Sequence, residues 1–229
     1  MKIGFMGLEL PEGKVKYKDS TLIELEKKDK PKKVTPFFAE FIQDEFTHAD
    51  VIVIPEDQIL DLLILDIEKV ENRISKCTED FEKQLMEKCQ ENLENEIPLC
   101  DVTFTEEEHT LLKTTSILSY KPVLKVKDVP EVNSLIKLSL EKANLMFFYT
   151  SGPKESHAWL VNKESDIVTC AGKIHSDLAR GFIRGDIVSF QDYMKCHNFN
   201  ECKSKGLSKL VDRDYIVQPE EIIEIRFNV

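Results

Sequence analysis

The middle of the chain carries a helical pattern of apolar residues. Between Ile67 and Ile97 these residues recur at steps of three and four, which is the spacing of an amphipathic helix. The stretch Thr105-Glu106-Glu107-Glu108 has the form of a capping box, so a returning helix is predicted to begin there. Residues 57–118 are therefore expected to form a helical hairpin or a short three-helix arm with coiled-coil character.

The pattern leaves open how many helices precede the return. Thr78 can also cap a helix, which would divide residues 57–97 at a turn near Cys77. Neither Gly nor Pro marks that turn. One long helix and two shorter helices both fit.

Shorter apolar runs on both sides of the arm predict a small α/β unit. The strand-like runs are Lys2–Leu8, Pro36–Ile42, Asp50–Ile54 and Pro122–Val126, and a helical run follows at Val132–Lys142. Polar, Lys-rich stretches such as Glu26–Lys33 separate the first runs. This order is typical of an α/β unit that the arm interrupts.

The end of the chain changes to a pattern of short strands. They are predicted at His157–Val161, Ile167–Cys170, Asp186–Phe190, Asp214–Gln218 and Ile222–Val229, with a short helix capped by Ser176 after the second. This order indicates a β-grasp, ubiquitin-like module that begins near Ser151-Gly152-Pro153. The predicted fold class is α+β: an α/β unit at 1–56 and 119–150, the arm at 57–118 and the β-grasp domain at 151–229.

Charge is concentrated in the arm. The chain has a formal charge of −11, and residues 57–112 alone contain 16 Asp or Glu and 5 Lys or Arg, so the remainder is neutral. A segment of this charge repels phosphate backbones, which argues against DNA and against non-specific nucleic-acid binding. It is either a solvated helical face or an arm that meets a basic partner surface.

Two further features bear on location. The longest apolar run, Ile59–Ile67, is interrupted by two aspartates and is too short to span a bilayer. The N-terminus enters a strand-like segment without a signal-peptide pattern, so the six Cys are expected to stay reduced in the cytoplasm. Cys196-His197 with Cys202 lacks the spacing of a zinc knuckle, and no metal site is predicted.

One string near the N-terminus is close to a phosphate-binding loop. Gly7 and the pair Gly13-Lys14 follow the first strand-like run, as in Gly-x-x-x-x-Gly-Lys-Ser/Thr. The spacing is one residue too long, and Val15 replaces the hydroxyl that would bind Mg²⁺. Glu9 and Glu12 add negative charge where phosphate would lie.

The C-terminal third carries several motifs of one family in order. They are Cys170-Ala171-Gly172-Lys173-Ile174-His175-Ser176-Asp177-Leu178-Ala179-Arg180-Gly181-Phe182-Ile183-Arg184, then Asp214-Tyr215-Ile216-Val217-Gln218 and Arg226-Phe227-Asn228-Val229. This segment closely resembles the end of the YchF-type Obg-like ATPases, a TGS-like β-grasp domain. The resemblance begins near Lys121 and covers nearly half of the chain.

The resemblance extends more weakly to the front. It implies a nucleotide-binding G domain interrupted by a coiled-coil arm, whose start resembles Asp66–Arg73. The family's Asp-x-x-Gly would begin at Asp44, where the Gly is lost, and its Asn-x-x-Glu resembles Asp128-Val129-Pro130-Glu131, where Asp replaces Asn. Gly7, Gly13, Lys14, Asp44, Asp128 and Glu131 would thus be the degenerate remains of a nucleotide site. A shortened, collapsed G domain is expected.

Basic residues beside an aromatic residue mark a second candidate surface. They are Lys173, His175, Arg180, Phe182 and Arg184. Such a group can hold an RNA backbone and stack a base. Residues 151–229 contain 11 basic and 12 acidic residues, so the segment has no overall basic footprint, and Phe182 fits a core equally well. Docking of a protein or a purely structural role is the alternative.

Three functional hypotheses follow. The first is a non-catalytic binding or regulatory protein without a cofactor, which contacts the ribosome, RNA or a translation factor. The second is a residual ATP- or GTP-binding protein with Mg²⁺ and weak or no hydrolysis, which would need Lys14, Asp44 and Glu131 to rebuild a site. The third is a homodimer held by Ile59–Ile67.

Overall fold

The computed structural model describes residues 1–228, which divide into two compact units. The first unit consists of residues 1–15 and 39–143, and the second of residues 16–38 with the chain from residue 144 onward. Within residues 1–228 no helix is long and apolar enough to cross a membrane.

The strands are β1 Lys2–Phe5, β2 Gly13–Lys16, β3 Lys33–Thr35, β4 Phe38–Gln43, β5 Val51–Pro55, β6 Val123–Val126, β7 Leu145–Thr150, β8 Glu155–Asn162, β9 Phe182–Ser189, β10 Lys209–Val211 and β11 Glu221–Phe227. The helices are α1 Ser20–Asp29, α2 Ile59–Ile74, α3 Asp80–Glu94, α4 Glu106–Leu112, α5 Val132–Lys142, α6 Ile167–Ile174, α7 Ser176–Arg180, α8 Phe190–Tyr193 and α9 Phe199–Ser204. Residues 1–228 thus form a mixed α/β structure with two sheets.

The first sheet has the order β2-β4-β1-β5-β6. Strands β4, β1, β5 and β6 are parallel to their neighbours. Every residue of β5 is buried, as expected for a parallel strand whose two faces are both covered. The carboxyl ends of the four parallel strands therefore lie on one edge of the sheet.

The predicted arm contains two helices before the return. Helix α2 ends at Ile74 and α3 begins at Asp80, so the two-helix alternative is the one that the structure has. Glu79 precedes α3 without a side-chain cap, and Thr78 is not the capping residue. At α4 the capping box is present, with Thr105 and Glu108 bonded reciprocally.

The two helices share a core with the first sheet. Buried residues of α2 and α3, such as Leu62 and Met86, belong to the same apolar cluster as Ile52 and Ile54 of β5. Asp66 of α2 is fully buried and accepts the backbone N–H groups of Leu118 at 2.8 Å and Ser119 at 2.6 Å. These contacts hold the hairpin against the sheet.

The second sheet has the order β10-β9-β11-β7-β8-β3. Strands β7 and β8 form an antiparallel pair, β11 is parallel to β7, and β9 is antiparallel to both β10 and β11. Ile167, Cys170 and Ala171 of α6 pack in one core with strand residues of this sheet.

Two predicted strands of the C-terminal segment are wrong. Ile167–Cys170 is the first half of α6, because Asp166 caps the helix by accepting the Thr169 N–H at 2.7 Å and the buried positions follow helical spacing. The β-branched residues of this run favour a strand only as a weak local preference. Asp214–Gln218 forms a single bridge, between Ile216 and Asp166. Strand β7, Leu145–Thr150, was not predicted.

Residues 16–38 lie in the second unit, although their sequence pattern predicted a place in the α/β unit. Leu22 and Leu25 of α1 join the apolar cluster that contains Tyr149. The Tyr149 hydroxyl donates to Asp19 at 2.7 Å, and β3 pairs with β8 from Lys33 onward. Helix α1 was also missed, since its burial depends on residues far along the chain.

Candidate functional site

The carboxyl edge of the first sheet gathers three of the six predicted nucleotide residues. Gly7 follows β1, Asp44 follows β4, and Asp128 follows β6. In open parallel α/β sheets, ligands bind in the crevice outside this edge. The edge is therefore the place where a nucleotide site is to be sought.

Gly13 and Lys14 do not lie in a phosphate-binding loop. A working loop connects a strand to a helix whose first N–H groups face the phosphate. Here the loop after β1 leads into another strand, β2, on the outside of the sheet, and Lys14 is exposed on it. Gly13 has φ +89° with open space around it. No helix N-terminus is available to these two residues.

The turn at Gly7 is filled by a side chain of the protein itself. Gly7 has φ +64°, and a Cβ built on it would lie 1.9 Å from Oε1 of Gln58. Gln58 ends the short 3₁₀ turn that follows β5. The Gln58 side chain therefore occupies the space that a side chain at position 7 would need.

The loop that begins at Asp44 is fixed across the sheet. Asp44 has φ +53° and donates its N–H to the Phe5 carbonyl at 2.9 Å. The loop then passes over Gly4, where a Cβ would lie 2.7 Å from the Glu45 carbonyl oxygen. Lys121 donates to three carbonyls of this loop, those of Phe46, Thr47 and Ala49.

Burial lowers the pKa of Lys121, and its ammonium replaces lost hydration with these carbonyl bonds. Residues 44–49 therefore form a connection between β4 and β5 that hydrogen bonds hold in place. They lack the freedom of a loop that closes on a nucleotide.

Two carboxylates and a lysine line a cavity at this edge. It has a volume of about 320 Å³ and is lined by Glu56, Asp57 and Lys127. Nζ of Lys127 lies 3.6 Å from Oε2 of Glu56, with which it forms an exposed ion pair. Asp128 is exposed, and Glu131 caps α5 by accepting the Ser134 N–H at 3.3 Å.

These charges oppose phosphate binding. Sequence reasoning did not single out Glu56, Asp57, Gln58 or Lys127. The only sequence feature that could have indicated them is their position directly after the parallel strands β5 and β6.

The residues of the predicted basic surface of the second unit do not all lie together. Lys173, His175 and Arg180 are exposed at the ends of α6 and α7. His175 caps α7, its Nδ1 accepting the Asp177 N–H at 3.2 Å, so the capping residue is His175 and not Ser176. Arg180 lies 2.9 Å from the same aspartate.

Phe182 does not belong to that surface. It is 6% exposed within the second core, and the Arg213 guanidinium covers its ring at 5.6 Å. Of the two roles that the sequence leaves open for Phe182, this burial fits the core role, because a base can stack only where it reaches the face of the ring. Arg184 lies on β9 and forms an ion pair with Asp212.

A buried carboxylate, that of Asp186, forms ion pairs with two cationic side chains of the second unit. Asp186 accepts from Arg226 at 2.7 and 3.0 Å and lies 3.2 Å from Nζ of Lys203. Burial raises the pKa of Asp186, but these charged donors outweigh burial and leave the pKa below its ordinary value. These cations neutralise the protein's own carboxylates and form no open basic patch.

Metal ligands are not assembled in the part of the chain that the structure describes. Residues 1–228 hold no group of three or more His, Cys, Asp or Glu placed to bind a metal. Cys196 and Cys202 are both buried, and burial raises the pKa of Cys202 to about 12.

The chain is similar to proteins of one family. Residues 145–228 match the family YchF-GTPase_C, described as a protein of unknown function (DUF933). The Ribosome-binding ATPase YchF of Bacillus subtilis is 28% identical over 260 residues, which cover 82% of this chain and 71% of that protein. The protein of the same name from Haemophilus influenzae is 34% identical over 100 residues, covering 44% and 28% of the two chains.

The solved structure of the Schizosaccharomyces pombe YchF GTPase has the same fold. It superposes with a TM-score of 0.79 over 96% of this chain and 88% of that chain, at 17% identity. The alignment with the Bacillus protein spans 260 positions, more than this chain's 229 residues contain, so parts of that protein have no counterpart here. The resemblance expected from the C-terminal motifs is confirmed: residues 145–228 match the YchF-GTPase C-terminal family, and the chain is similar in sequence to proteins named as YchF-type and Obg-like ATPases.

Proposed function

We propose that this protein is a cytoplasmic binding protein of the translation apparatus that acts without phosphoryl transfer. One observation carries the proposal: the loop after β1 leads into strand β2, so Lys14 has no helix N-terminus beside it. Phosphoryl transfer depends on cations and N–H groups positioned around the phosphates. The filled turn at Gly7 and the carboxylates near Lys127 support the same interpretation.

The partner is inferred from the relatives. The Bacillus and Haemophilus proteins are named as ribosome-binding, and we extend that property to this chain. The second unit is proposed to be a TGS-like β-grasp module, because β7, β8, β9, β10 and β11 have the order and directions of that fold with α6 packed on the sheet. Lys173 and Arg180 would meet RNA phosphates, and the acidic helical arm would meet a basic protein surface.

Co-sedimentation with purified ribosomes tests this association. Lys173→Ala combined with Arg180→Ala should weaken association several-fold and lower its salt slope by about one for each phosphate that is no longer neutralised. Lys195→Ala is the matched control, since Lys195 is exposed on the same unit and pairs with Asp192. No association of the unaltered chain at low salt, or equal weakening in the control, contradicts the proposal.

Calorimetric titration with ATP and GTP in the presence of Mg²⁺ tests the absence of phosphoryl transfer. We expect no saturable heat up to millimolar nucleotide, and no change in Lys14→Ala. Saturable, Mg²⁺-dependent binding that is lost in Lys14→Ala would show that a site is rebuilt around this residue, and would overturn the non-catalytic proposal.

A residual nucleotide site is the second candidate, and one observation favours it. The cavity at Glu56, Asp57 and Lys127 lies where parallel sheets bind ligands. If this cavity holds a nucleotide, Lys127→Ala abolishes the binding and Lys14→Ala does not. Binding unaffected by Lys127→Ala would exclude the cavity.

A further inference from the structure

The second sheet is open beside β11. Strand β11 pairs with β7 at a single position, Ile222 opposite Tyr149. Strand β7 ends at Thr150 and the chain turns away, whereas β11 continues to Phe227. The other side of β11 stays paired with β9 as far as Phe227 opposite Phe182. In the described chain, the β7 side of β11 therefore faces no strand beyond Ile222.

An apolar groove of about 630 Å³ lies along this open side. Its floor is formed by Ile223, Ile225 and Phe227 of β11, and one wall by Ile174 and Leu178 of α6 and α7. The opposite wall is the loop Thr150–Glu155. Phe227 is 47% exposed, and the volume lies in the range of ligand-binding clefts.

Charges around the groove are unevenly balanced. Glu224 forms an ion pair with Lys203 at 2.8 Å, and Glu155 with Lys33 at 2.9 Å. Lys154, in the loop at the rim, has no carboxylate within ion-pair distance among residues 1–228. The acidic lining residues are neutralised, and the uncompensated charge at the rim is positive.

We propose that this groove binds an extended peptide segment of a partner protein, which adds as a strand along β11. The open strand edge supplies backbone hydrogen bonds, and the groove takes the alternate apolar side chains. An acidic residue of the peptide lies near Lys154. A helical partner would leave the strand edge unpaired, and RNA would place phosphates against an apolar floor with one cation. The site is separate from the surface proposed at Lys173 and Arg180 and does not depend on ribosome binding.

Fluorescence anisotropy with the full chain tests this site. The probe is a labelled nine-residue peptide of alternating Val and Thr with Glu at both ends. Its partner probe has the same sequence with N-methyl groups on alternate backbone amides, which removes the hydrogen bonds of one strand edge. We expect saturable binding of the first probe and at least tenfold weaker binding of the second. Equal affinities, or no saturation up to millimolar protein, overturn the proposal.

Variants locate the binding. Phe227→Ser and Lys154→Glu should each weaken the acidic peptide about tenfold, while a peptide with Lys ends should bind Lys154→Glu more tightly. Ile183→Ser is the control, because Ile183 is 53% exposed and does not line the groove. A control that weakens binding as much as Phe227→Ser would overturn the assignment to this groove. Unchanged far-ultraviolet circular dichroism in each variant verifies that it has folded.

Discussion

The carboxyl edge of the first sheet and the β11 edge of the second sheet differ in what the protein does with its own polar groups. At the first edge, Gln58 fills the turn at Gly7, and Lys121 bonds the loop after Asp44. At the second, β11 keeps an unpaired side next to an apolar groove.

The two edges show two ways in which a sheet edge can be used. An edge whose loops and cations are engaged internally has fewer donors free for a bound anion. An edge left unpaired is available to another chain. Substitutions can therefore test whether the internal contacts near the first edge stabilise the fold. They can also test whether the ion pairs of the second unit contribute to its stability.

The largest loss of stability is expected from a change at Asp66, which links α2 to the backbone of Leu118 and Ser119. Asp66→Ala removes the acceptor of two backbone N–H groups, and stability should fall by about 3 kcal/mol, since each buried unsatisfied donor costs roughly 1–3 kcal/mol. Urea unfolding measures the change. Exposed Glu68→Ala on the same helix is the control and should stay within about 0.5 kcal/mol. Equal effects would show that Asp66 does not fasten the hairpin.

The closed turn at Gly7 can be tested against Gly13. Both have positive φ, so Ala at either position costs about 1–2 kcal/mol of backbone strain. Gly7→Ala should cost more than Gly13→Ala, because only the Gly7 position meets Gln58. Adding Gln58→Ala to Gly7→Ala should recover part of the difference. If Gly13→Ala is the more damaging change in urea unfolding, Gln58 does not fill the turn.

The charges of the second unit should make stability depend on pH. The pKa of Asp186 is below its ordinary value when folded, so its contribution is present above the unfolded pKa of about 3.9 and is lost as pH falls through the folded pKa. Asp186→Asn should cost on the order of 1 kcal/mol at pH 7 and reduce the loss of stability below about pH 4. Urea unfolding between pH 3 and pH 7 measures this. Identical pH profiles would contradict the assignment.

The smallest effect on stability is expected on the outer face of α2. The homodimer hypothesis used Ile59–Ile67, but Ile59, Leu62 and Leu63 are buried in the protein's own core, and the exposed residues are Leu60, Ile64 and Leu65. Ile64→Glu should change stability by less than about 0.5 kcal/mol. Analytical ultracentrifugation over a range of concentrations then tests the dimer. A wild-type dimer that Ile64→Glu converts to a monomer would establish it, and a wild-type monomer would remove it.

The sequence was sufficient to predict those helices whose stabilising contacts lie between residues close together in the chain. The capping box at Thr105 and the helical stripe after Ile67 were readable because both depend on spacings of three and four residues. The C-terminal motifs from Cys170 onward were sufficient to recognise the family. The break near Cys77 was readable only as one of two alternatives.

Long-range packing decided the rest of the candidate sites. Gln58 meets Gly7, and Lys121 meets Phe46, only after the sheet has formed, so no local sequence pattern predicts these two contacts. Phe182 had the neighbours of a surface aromatic residue in the sequence, yet strand pairing turns it into the core.

The sequence by itself determined the helices between Ile59 and Glu94, the acidic charge and the resemblance of the C-terminal segment to one family, because periodicity, composition and ordered motifs are properties of the chain. Tertiary structure alone decided that α1 packs with Tyr149 and that β11 has an open side. The physical reason is that burial and strand pairing join residues distant in the chain, and their free energy outweighs local preferences of a few tenths of a kcal/mol.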